Sequence, residues 1–467
     1  MNKDKGMVRA DRRQFLVGLG ALTAAGYASA HDIAPTTKFS GRITGRKLKI
    51  AAIGCGGMGA SATSSLIGAG CELVAVCDIN PKAFDKWEEK YPGIPKFTDY
   101  RVMLKTMGDR FEAVQVGTPD HTHAYISIDC MNAGKHVYVQ KPLARTVEEC
   151  ELMLAAQRRT GVVVQMGNQG HPGVLRYKAL RDAGFWGEIK AIYSWSDRPI
   201  WPQGMKKYPD AEPLPEGYAP EAWDCWCGPS EDHGYSHHYH TFRWRGWWAY
   251  GCGAIGDMAV HNADPAFWAF ELGLPISVTG DTYGGGAVDI AYPKQSRIEM
   301  TFASNRWVPN GVKLVWFDGG KKPDATMVPG LPAEIEKNGL IIVGTKATTI
   351  GGSHASIPKC IIGDQAELEK ILEKLGKKAS YNHYREFVEA CLAEDPERCG
   401  SKLSYAAPLT EALLVGCISL RYPGERLDFD TKDLLFTNKD AANAFLKAPK
   451  RGDWDFDDLD RPWWKFW

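Results

Sequence analysis

Two residues of one short segment, Asp257 and His261, have types and a spacing that suit joint chemistry. They are four positions apart within residues 256–261, so on a helix both side chains project from the same face. Such a pair can bind a metal ion. It can equally be structural, with Asp257 capping the helix and His261 packed against Trp268. Asp264 follows near the same face, and the residues alone leave both interpretations open.

A glycine-rich turn, Gly54-Cys55-Gly56-Gly57-Met58-Gly59, follows a predicted strand and opens a predicted helix. Gly54 permits the tight bend, Gly56 lets backbone N–H groups approach a pyrophosphate, and Gly59 allows close packing of helix on strand. In this context the turn predicts dinucleotide binding, with Gly57 and Met58 in the same loop. The alternative is a glycine-rich bend in an α/β domain that binds no nucleotide.

The next predicted strand ends at Asp78, 19 residues beyond Gly59. A carboxylate at this position can accept hydrogen bonds from the hydroxyls of the adenosine ribose. It would also repel a 2′-phosphate. Asp78 therefore favours NAD over NADP as the cofactor.

Apolar runs rich in β-formers alternate with helical patterns in the first part of the chain, which is typical of a doubly wound parallel sheet. The predicted strands are 48–53, 73–77, 113–116, 136–139 and 162–166, and the predicted helices include 58–67, 122–132 and 146–159. We therefore predict an α/β fold whose N-terminal Rossmann domain spans residues 47–187.

From residue 188 the pattern changes to longer strands without intervening helices of the same kind. These predicted strands are 189–196, 276–282, 297–303 and 312–317. They favour an open, largely antiparallel sheet in a C-terminal α+β domain, residues 188–467. Helical stretches at 386–392 and 410–420 are predicted to pack back on the first domain. The aromatic tail at 461–467 is predicted to dock on its own chain or on a neighbouring chain.

Two further motifs stand between the glycine turn and the second domain. Gly117-Thr118-Pro119-Asp120-His121-Thr122-His123 is followed by Gly134-Lys135-His136-Val137-Tyr138-Val139-Gln140-Lys141-Pro142. With the glycine turn and the later Asp-x-x-x-His, they make residues 48–456 resemble the Gfo/Idh/MocA oxidoreductases, the family of glucose–fructose oxidoreductase and inositol dehydrogenase. The resemblance implies NAD binding, and we expect the cofactor to contact Thr118, Pro119, His123 and Gln140.

The resemblance also implies a catalytic triad. In it Lys141 stands beside the substrate, His261 is the proton acceptor, and Asp257 is its partner or a substrate ligand. The family usually has Glu-Lys-Pro, whereas this chain has Gln140-Lys141-Pro142. The missing carboxylate removes one potential charge partner of Lys141, and we expect this to shift the pH optimum.

Three more residues are predicted to contact ligands. Asn168 and Gln169 follow a predicted strand near the carboxyl ends where open α/β sheets bind ligands, so we expect nicotinamide or substrate contacts there. Arg245 lies in Arg243-Trp244-Arg245-Gly246-Trp247-Trp248. This segment can line a saccharide cleft by stacking and bidentate hydrogen bonds, or it can be a buried seam between the domains.

The chain begins with the pattern of an export signal. Arg12-Arg13-Gln14-Phe15-Leu16 is a twin-arginine motif, an apolar run reaches Ala28, and Ala28-Ser29-Ala30 is a small-residue cleavage site. We expect removal after Ala30, a linker at 31–46 and no membrane span in the mature chain; an uncleaved anchor is the alternative. The predicted location is periplasmic or otherwise exported.

Export constrains the chemistry, because free NAD belongs to the cytoplasm and the twin-arginine route carries folded proteins with cofactor already bound. We therefore expect tightly bound NAD that accepts hydride at nicotinamide C4 from a carbohydrate or polyol hydroxyl. A second carbonyl compound then takes the hydride back. The alternatives are redox-neutral glycoside cleavage or epimerisation through a keto-sugar, and a non-catalytic exported sugar-binding protein.

Bulk composition excludes some classes of partner. Lys plus Arg and Asp plus Glu each number 56, so the formal charge is zero, which argues against nucleic acid as a partner. The 12 cysteines do not form a disulfide-framework pattern, and the four histidines at 233, 237, 238 and 240 lack the spacing of a metal cage. We predict no metal, a small saccharide or polyol substrate, and a homodimer or homotetramer.

Overall fold

The computed structural model describes residues 45–286, 288–376 and 381–456. The predicted export signal, most of the linker at 31–46 and the tail at 461–467 lie outside the described residues. None of the described helices is long and apolar enough to cross a membrane. All 12 cysteines are unbridged thiols.

The first domain contains a six-stranded parallel sheet in the order β3-β2-β1-β4-β5-β6. Its strands are β1 Leu48–Ile53, β2 Cys71–Cys77, β3 Lys96–Phe97, β4 Ala113–Val116, β5 His136–Val139 and β6 Val164–Met166. Strands such as β4 are apolar at nearly every position and fully buried, because helices cover both faces of the sheet. The order reverses between β1 and β4, which opens a crevice at their carboxyl ends.

Helices alternate with these strands. They are α1 Gly57–Gly68, α2 Asp85–Lys90, α3 Tyr100–Met107, α4 Asp120–Asn132, α5 Val147–Thr160 and α6 Val174–Asp182. Local signals set their ends: α5 begins with a capping box of Thr146 and Glu149, and it ends at Gly161 in the left-handed conformation.

The second domain contains a nine-stranded mixed sheet in the order β13-β12-β11-β7-β10-β9-β8-β14-β15. Its strands are β7 Ile189–Trp195, β8 Ser277–Tyr283, β9 Gln295–Phe302, β10 Val312–Phe317, β11 Gly339–Gly344, β12 Thr348–Gly351, β13 Lys359–Ile362, β14 Arg426–Asp430 and β15 Leu435–Phe436. Strands β7 and β10 pair in parallel, and the other pairs of this sheet are antiparallel. The predicted fold class is confirmed.

The helices of the second half are α7 Ala222–Cys227, α8 Gly253–Asn262, α9 Asp264–Phe270, α10 Gln365–Leu375, α11 His383–Leu392 and α12 Leu403–Ser419. Helix α12 contacts α5 of the first sheet layer as well as α8 and β8. Helix α11 packs on α1 and β1 through Phe387 and Val388. Helix α12 therefore connects the Rossmann sheet to α8 and the second sheet, whereas α11 packs on the Rossmann domain.

Candidate active site

The glycine turn between β1 and α1 is closely packed at two positions. A Cβ added at Gly59 would lie 1.8 Å from the Gly54 carbonyl oxygen, and one added at Gly54, where φ is +75°, would lie 2.6 Å from Thr118 N. Both positions require glycine because a backbone segment occupies the space of a side chain. The turn can therefore adopt the tight bend that a pyrophosphate needs.

The Asp78 carboxylate folds back on this turn. Its Oδ2 accepts hydrogen bonds from Cys55 N at 2.9 Å and Gly56 N at 3.2 Å, and its Oδ1 accepts one from Asn80 N. Burial raises the pKa of Asp78 above its ordinary value, against the lowering effect of these N–H donors. Asp78 thus ties the end of β2 to the turn, and the Gly56 N–H is engaged by this carboxylate.

A cleft of ≈ 540 Å³ runs from the glycine turn across the carboxyl ends of the strands. Its walls include Asp78, Thr118, Pro119, His123 and Gln140. At its far end lie Lys141 and the segment 240–245 with Arg245. The cleft thus joins the nucleotide turn to the predicted catalytic lysine, and the Rossmann topology places its opening there.

Lys141 follows β5 and reaches across to α8. Its Nζ donates to the Asp257 Oδ1 at 2.5 Å and to the Asp257 carbonyl oxygen at 2.9 Å. The two side chains are each 11% exposed, so the ion pair is largely shielded from water. An ammonium held in this way by two oxygens is fixed in position at the end of the cleft.

Asp257 is surrounded by cations. Arg245 Nε lies 3.4 Å from its Oδ1, and Arg198 Nε lies 3.8 Å from its Oδ2. Burial by itself raises the pKa of Asp257, but Lys141, Arg245 and Arg198 outweigh burial and hold the pKa below its ordinary value. Asp257 is therefore a carboxylate at neutral pH.

His261 lies one turn further along α8 and is 3% exposed. Its Nδ1 is 2.7 Å from Asn168 Oδ1. An amide oxygen only accepts, so Nδ1 carries the hydrogen and Nε2 keeps its lone pair. Burial, with the charges of Lys141 and His354, holds the pKa of His261 well below its ordinary value. The ring is therefore neutral, with an unprotonated Nε2.

Asn168 was predicted to contact nicotinamide or substrate. In the structure its side chain instead bonds groups of the protein. The side chain is fully buried, and its Nδ2 donates to the Val260 carbonyl oxygen at 2.8 Å and to Asp264 Oδ2 at 2.9 Å. Asp264 in turn accepts from His171 Nδ1 at 2.9 Å and from the Tyr405 hydroxyl. These bonds fix the amide so that its oxygen faces His261.

His123 holds the loop that carries Lys141. Its Nδ1 lies 2.8 Å from the Pro142 carbonyl oxygen and its Nε2 lies 2.8 Å from the Thr118 carbonyl oxygen. Burial lowers the pKa of His123 to about 4, so the ring is neutral. Thr118 accepts a hydrogen bond from the Thr122 hydroxyl, and Pro119 caps α4.

The side-chain amides of two glutamines have buried N–H donors without an acceptor in the part of the chain that the structure describes. Neither Gln140 Nε2 nor Gln169 Nε2 has a partner among the described residues. Gln140 is 5% exposed and lines the cleft, whereas Gln169 does not line it. An unpaired buried donor is costly unless a ligand supplies the acceptor, so Gln140 and the glycine turn both fit a bound dinucleotide.

Three residues of this site were missed by the sequence analysis: Asp120, Arg198 and His354. Asp120 is buried beside Arg245 and Lys141 and accepts from Cys252 N at 3.1 Å. His354 stacks on His261 with ring centroids 4.1 Å apart. Of the three, only Asp120 belongs to a sequence motif described above, in which it directly follows Pro119.

In the Trp-rich segment some residues lie in a hydrophobic core and others line the cleft. Trp244 and Trp247 are buried in an aromatic cluster with Trp223, Trp226 and Tyr239. Arg245 instead lies 4.2 Å over the Trp244 ring and points its guanidinium at Asp257. The segment is therefore both a buried seam and, at Arg245, a wall of the cleft.

Among the histidines at 233–240, one group within the described residues has metal-compatible spacing. Ligand atoms of Glu212, His237 and His238 lie within 4.8 Å of one another. His237 Nδ1 is 2.7 Å from Glu212 Oε1. Both histidines are exposed, and the group lies apart from Lys141 and Asp257.

Comparison with protein families shows which family this chain belongs to. Residues 48–168 match the oxidoreductase family with an NAD-binding Rossmann fold, GFO_IDH_MocA, and residues 195–335 match the C-terminal alpha/beta domain of that family. Together the two matches cover more than half of the chain. The chain is a member of the Gfo/Idh/MocA oxidoreductases. The predictions of an NAD-binding Rossmann domain and of NAD as cofactor are confirmed.

Curated relatives match this family member over only part of their length. A 1-carboxy-3-chloro-3,4-dihydroxycyclo hexa-1,5-diene dehydrogenase of Comamonas testosteroni is 34% identical over 126 residues, 26% of this chain and 31% of the relative. An alpha-N-acetylgalactosaminidase of Shewanella oneidensis is 30% identical over 204 residues, 38% of this chain and 44% of the relative. The chain thus spans less than half the length of these relatives.

Solved structures share the fold of this Gfo/Idh/MocA member over most of its length. The WlbA dehydrogenase of Bordetella pertussis, solved with NADH and UDP-GlcNAcA, superposes with a TM-score of 0.56. It is 21% identical, and the match covers 82% of this chain and 99% of that one. This likeness concerns the fold.

Proposed function

We propose that this chain is an NAD-dependent oxidoreductase that acts on a CH–OH group of a carbohydrate or polyol. The observation that carries the proposal is the Lys141–Asp257 ion pair at the end of the nucleotide cleft, next to a neutral His261 in α8. A buried cation beside a neutral base is the arrangement that alcohol oxidation needs.

The cofactor-binding residues are those that line the cleft. The turn at 54–59 would hold the pyrophosphate, Asp78 the adenosine ribose, and Gln140 the nicotinamide end. When bound, NAD supplies the hydride acceptor. The protein's part is to bind the nucleotide, to orient the substrate hydroxyl and to receive its proton.

His261 is the base in this proposal. Its Nδ1–H donates to Asn168, so the Nε2 lone pair is free to take the hydroxyl proton. The Lys141 side chain, held by Asp257, stabilises the negative charge that develops on the substrate oxygen. Asp257 fixes Lys141, and Arg245 and Arg198 add positive charge beside this ion pair.

A polyhydroxylated substrate suits the polar residues around the triad. Arg245 offers several N–H donors and an aromatic neighbour, which are the groups that bind sugar hydroxyls and stack on sugar rings. Further support comes from the Bordetella pertussis enzyme of the same fold, which was solved with a UDP-sugar acid. We propose Arg245 as a substrate-side residue, whereas Gln169, predicted from the sequence for this role, does not line the cleft.

Redox-neutral glycoside cleavage is the second candidate. The observation in its favour is the 30% identity to the alpha-N-acetylgalactosaminidase of Shewanella oneidensis. In this reaction a transiently oxidised ring carbon acidifies the neighbouring C–H, which loses its proton to a base while the glycosidic oxygen leaves. Water then adds, the carbonyl is reduced back by the same hydride, and the products differ from the substrate by one water.

One experiment separates these functions. The purified protein is denatured and the released nucleotide identified, and the intact protein is then incubated with a panel of sugars and aryl glycosides. Stoichiometric NAD or NADH and sugar oxidation with accumulating NADH, or with reduction of an added keto-sugar, support the oxidoreductase. Release of the aryl group without net NADH supports the glycosidase, and sugar affinity that is independent of nucleotide contradicts both.

Tight retention of NAD and export through the twin-arginine route belong to the same proposal, as do cleavage after Ala30 and a homodimeric or homotetrameric assembly. Replacing Arg12 and Arg13 by lysine tests the route. We expect the variant to stay in the cytoplasm as the full-length chain, whereas the wild type is recovered outside it, shorter at its N-terminus. Equal export of both proteins would contradict the proposal.

A further inference from the structure

A second pocket, of ≈ 370 Å³, lies outside the nucleotide cleft and shares none of its lining residues. Arg145, Trp248, Arg421 and Phe445 form its walls, and Lys447 also lines it. Arg145 precedes α5, Trp248 belongs to the segment before α8, and Arg421 follows α12. Three separate parts of the chain thus converge on this pocket.

The guanidinium groups of Arg145 and Arg421 form no ion pair with a carboxylate in the described part of the chain, although the backbone N–H of Arg145 donates to the buried Glu149. The Nε of each is buried without a hydrogen-bond acceptor there. Within the described residues each guanidinium donates one hydrogen bond, to a backbone carbonyl: Arg145 Nη1 to Trp248 and Arg421 Nη1 to Val288, both at 2.9 Å. Most of their donors therefore remain available to a ligand.

Trp248 adds an unpaired donor between these cations. The residue is 7% exposed, and its Nε1 has no acceptor within the described part of the chain. Its ring stacks on Tyr292, with centroids 3.6 Å apart, and the Arg421 guanidinium lies 4.1 Å from its centroid. A buried N–H left unpaired between two arginines is unfavourable unless an acceptor enters the pocket.

Charge and shape together indicate the ligand. Glu231 and Asp289, the carboxylates that line this pocket, are exposed residues, and neither pairs with Arg145 or Arg421. Burial and the nearby Arg145 lower the pKa of Arg421, against the raising effects of Tyr292, Tyr208 and Asp289, so the two cations lie close together and neither guanidinium is ion-paired within the described residues. Phe445, 3.9 Å from the Arg421 guanidinium, adds an apolar wall.

We propose that this second pocket binds the oxyanion of a small organic molecule, a phosphate ester or a carboxylate. The oxyanion would accept from Arg145, Arg421 and Trp248 Nε1, and the rest of the molecule would pack against Trp248 and Phe445. The volume exceeds that of a bare phosphate. The site is distinct from the cleft, so the inference does not depend on the reaction at Lys141.

The test is calorimetric titration of the full chain, saturated with NAD so that the glycine turn is occupied, at constant ionic strength. The probes are inorganic phosphate, glucose 6-phosphate and glucuronate. We expect at least one of the organic anions to bind at one site. Arg145→Met and Arg421→Met should weaken this binding about tenfold or more, as the loss of a charged hydrogen bond does.

Two further variants keep the test decisive. Trp248→Phe retains the stacked ring but removes the N–H, and we expect binding several-fold weaker, even if an arginine variant fails to fold. Arg306→Met is the matched control, because Arg306 also stacks on a tryptophan, Trp307, outside the pocket; it should bind as the wild type does. Absence of binding by every probe, or equal weakening in the control, overturns the proposal, whereas preference for inorganic phosphate names phosphate itself as the ligand.

Discussion

The two ends of the nucleotide cleft are built in different ways. At the nucleotide end the cleft wall is formed by consecutive residues, 54–58, held by the packing of α1 on β1. At the catalytic end the groups are side chains from separate segments, since Lys141 and Asp257 are 116 positions apart and Asn168 and His261 are 93 apart. One end depends on the absence of side chains and the other on their presence.

This difference predicts two kinds of sensitivity. The nucleotide end should be damaged by any added Cβ at its crowded glycines, whatever its chemistry, because the clash is with backbone. The catalytic end should respond to the loss of single charges or hydrogen bonds while nucleotide affinity stays the same. Variants at each end therefore separate binding from turnover.

The largest effect is expected for Lys141→Ala. Removal of a positioned cation from a buried site lowers turnover by about 10³-fold, while the nucleotide affinity changes little because the turn is untouched. Asp257 keeps Arg245 and Arg198 as neighbours, so the fold is retained. Turnover and NAD titration check this, with Lys135→Ala as control, a lysine whose Nζ bonds the Phe111 carbonyl oxygen away from the cleft. Near wild-type turnover would refute the role of Lys141.

The nucleotide end is tested by Gly59→Ala. The added Cβ would meet the Gly54 carbonyl oxygen at 1.8 Å, so the turn must open, and we expect NAD to bind about 10- to 100-fold more weakly. Gly68→Ala, in the same helix with no atom within 4 Å of the new Cβ, should bind normally. A folded Gly59→Ala protein with unchanged NAD affinity contradicts this account.

A smaller effect is expected for Asn168→Ala. Loss of its oxygen frees Nδ1 of His261, so both tautomers become populated and kcat falls about tenfold, the value of one hydrogen bond. NAD affinity should not change. Asn305→Ala serves as control, because Asn305 also binds backbone carbonyls, those of Phe270 and Glu271, far from His261. An equal fall of kcat in both variants would show only a loss of stability.

The smallest effect concerns Asp120 and pH. Burial raises its pKa to about 7, against the lowering effects of Arg245 and Lys141 and with a raising effect of Asp257. The native state then binds a proton that the unfolded state has released, so the free energy of unfolding falls as the pH rises through this range. Between about pH 5 and about pH 7, the free energy of unfolding of Asp120→Asn should therefore decrease by about 1–2 kcal/mol less than that of the wild type.

Denaturant titration at the two pH values checks the Asp120 prediction. Asp433→Asn, at an exposed position, is the control and should keep the wild-type dependence. If Asp120→Asn also keeps it, the Asp120 carboxyl is ionised throughout this range and the burial argument fails.

Much of the scaffold could be predicted from hydrophobic pattern alone. The bounds of β1, β4, β5 and β10 agree with the predicted strands, because buried strands are mostly apolar runs. Helix ends were harder: α11 begins at His383, three residues before the predicted start, where Asn382 caps it by accepting from Tyr384 N and Arg385 N. Helix α12 begins at Leu403, seven residues earlier than predicted.

The sequence by itself determined the dinucleotide turn and the placing of Asp257 and His261 on one helix face, because each is a local motif whose spacing carries its own geometry. The catalytic roles of these two residues and of Lys141 were implied by the family resemblance and stay a prediction. Only the tertiary structure decided that Arg198 and Arg245 neutralise Asp257 and that Asn168 sets the tautomer of His261. The physical reason is that these contacts join segments distant in the chain. Their distances follow from how α8 packs against the carboxyl ends of the sheet, which no local pattern encodes.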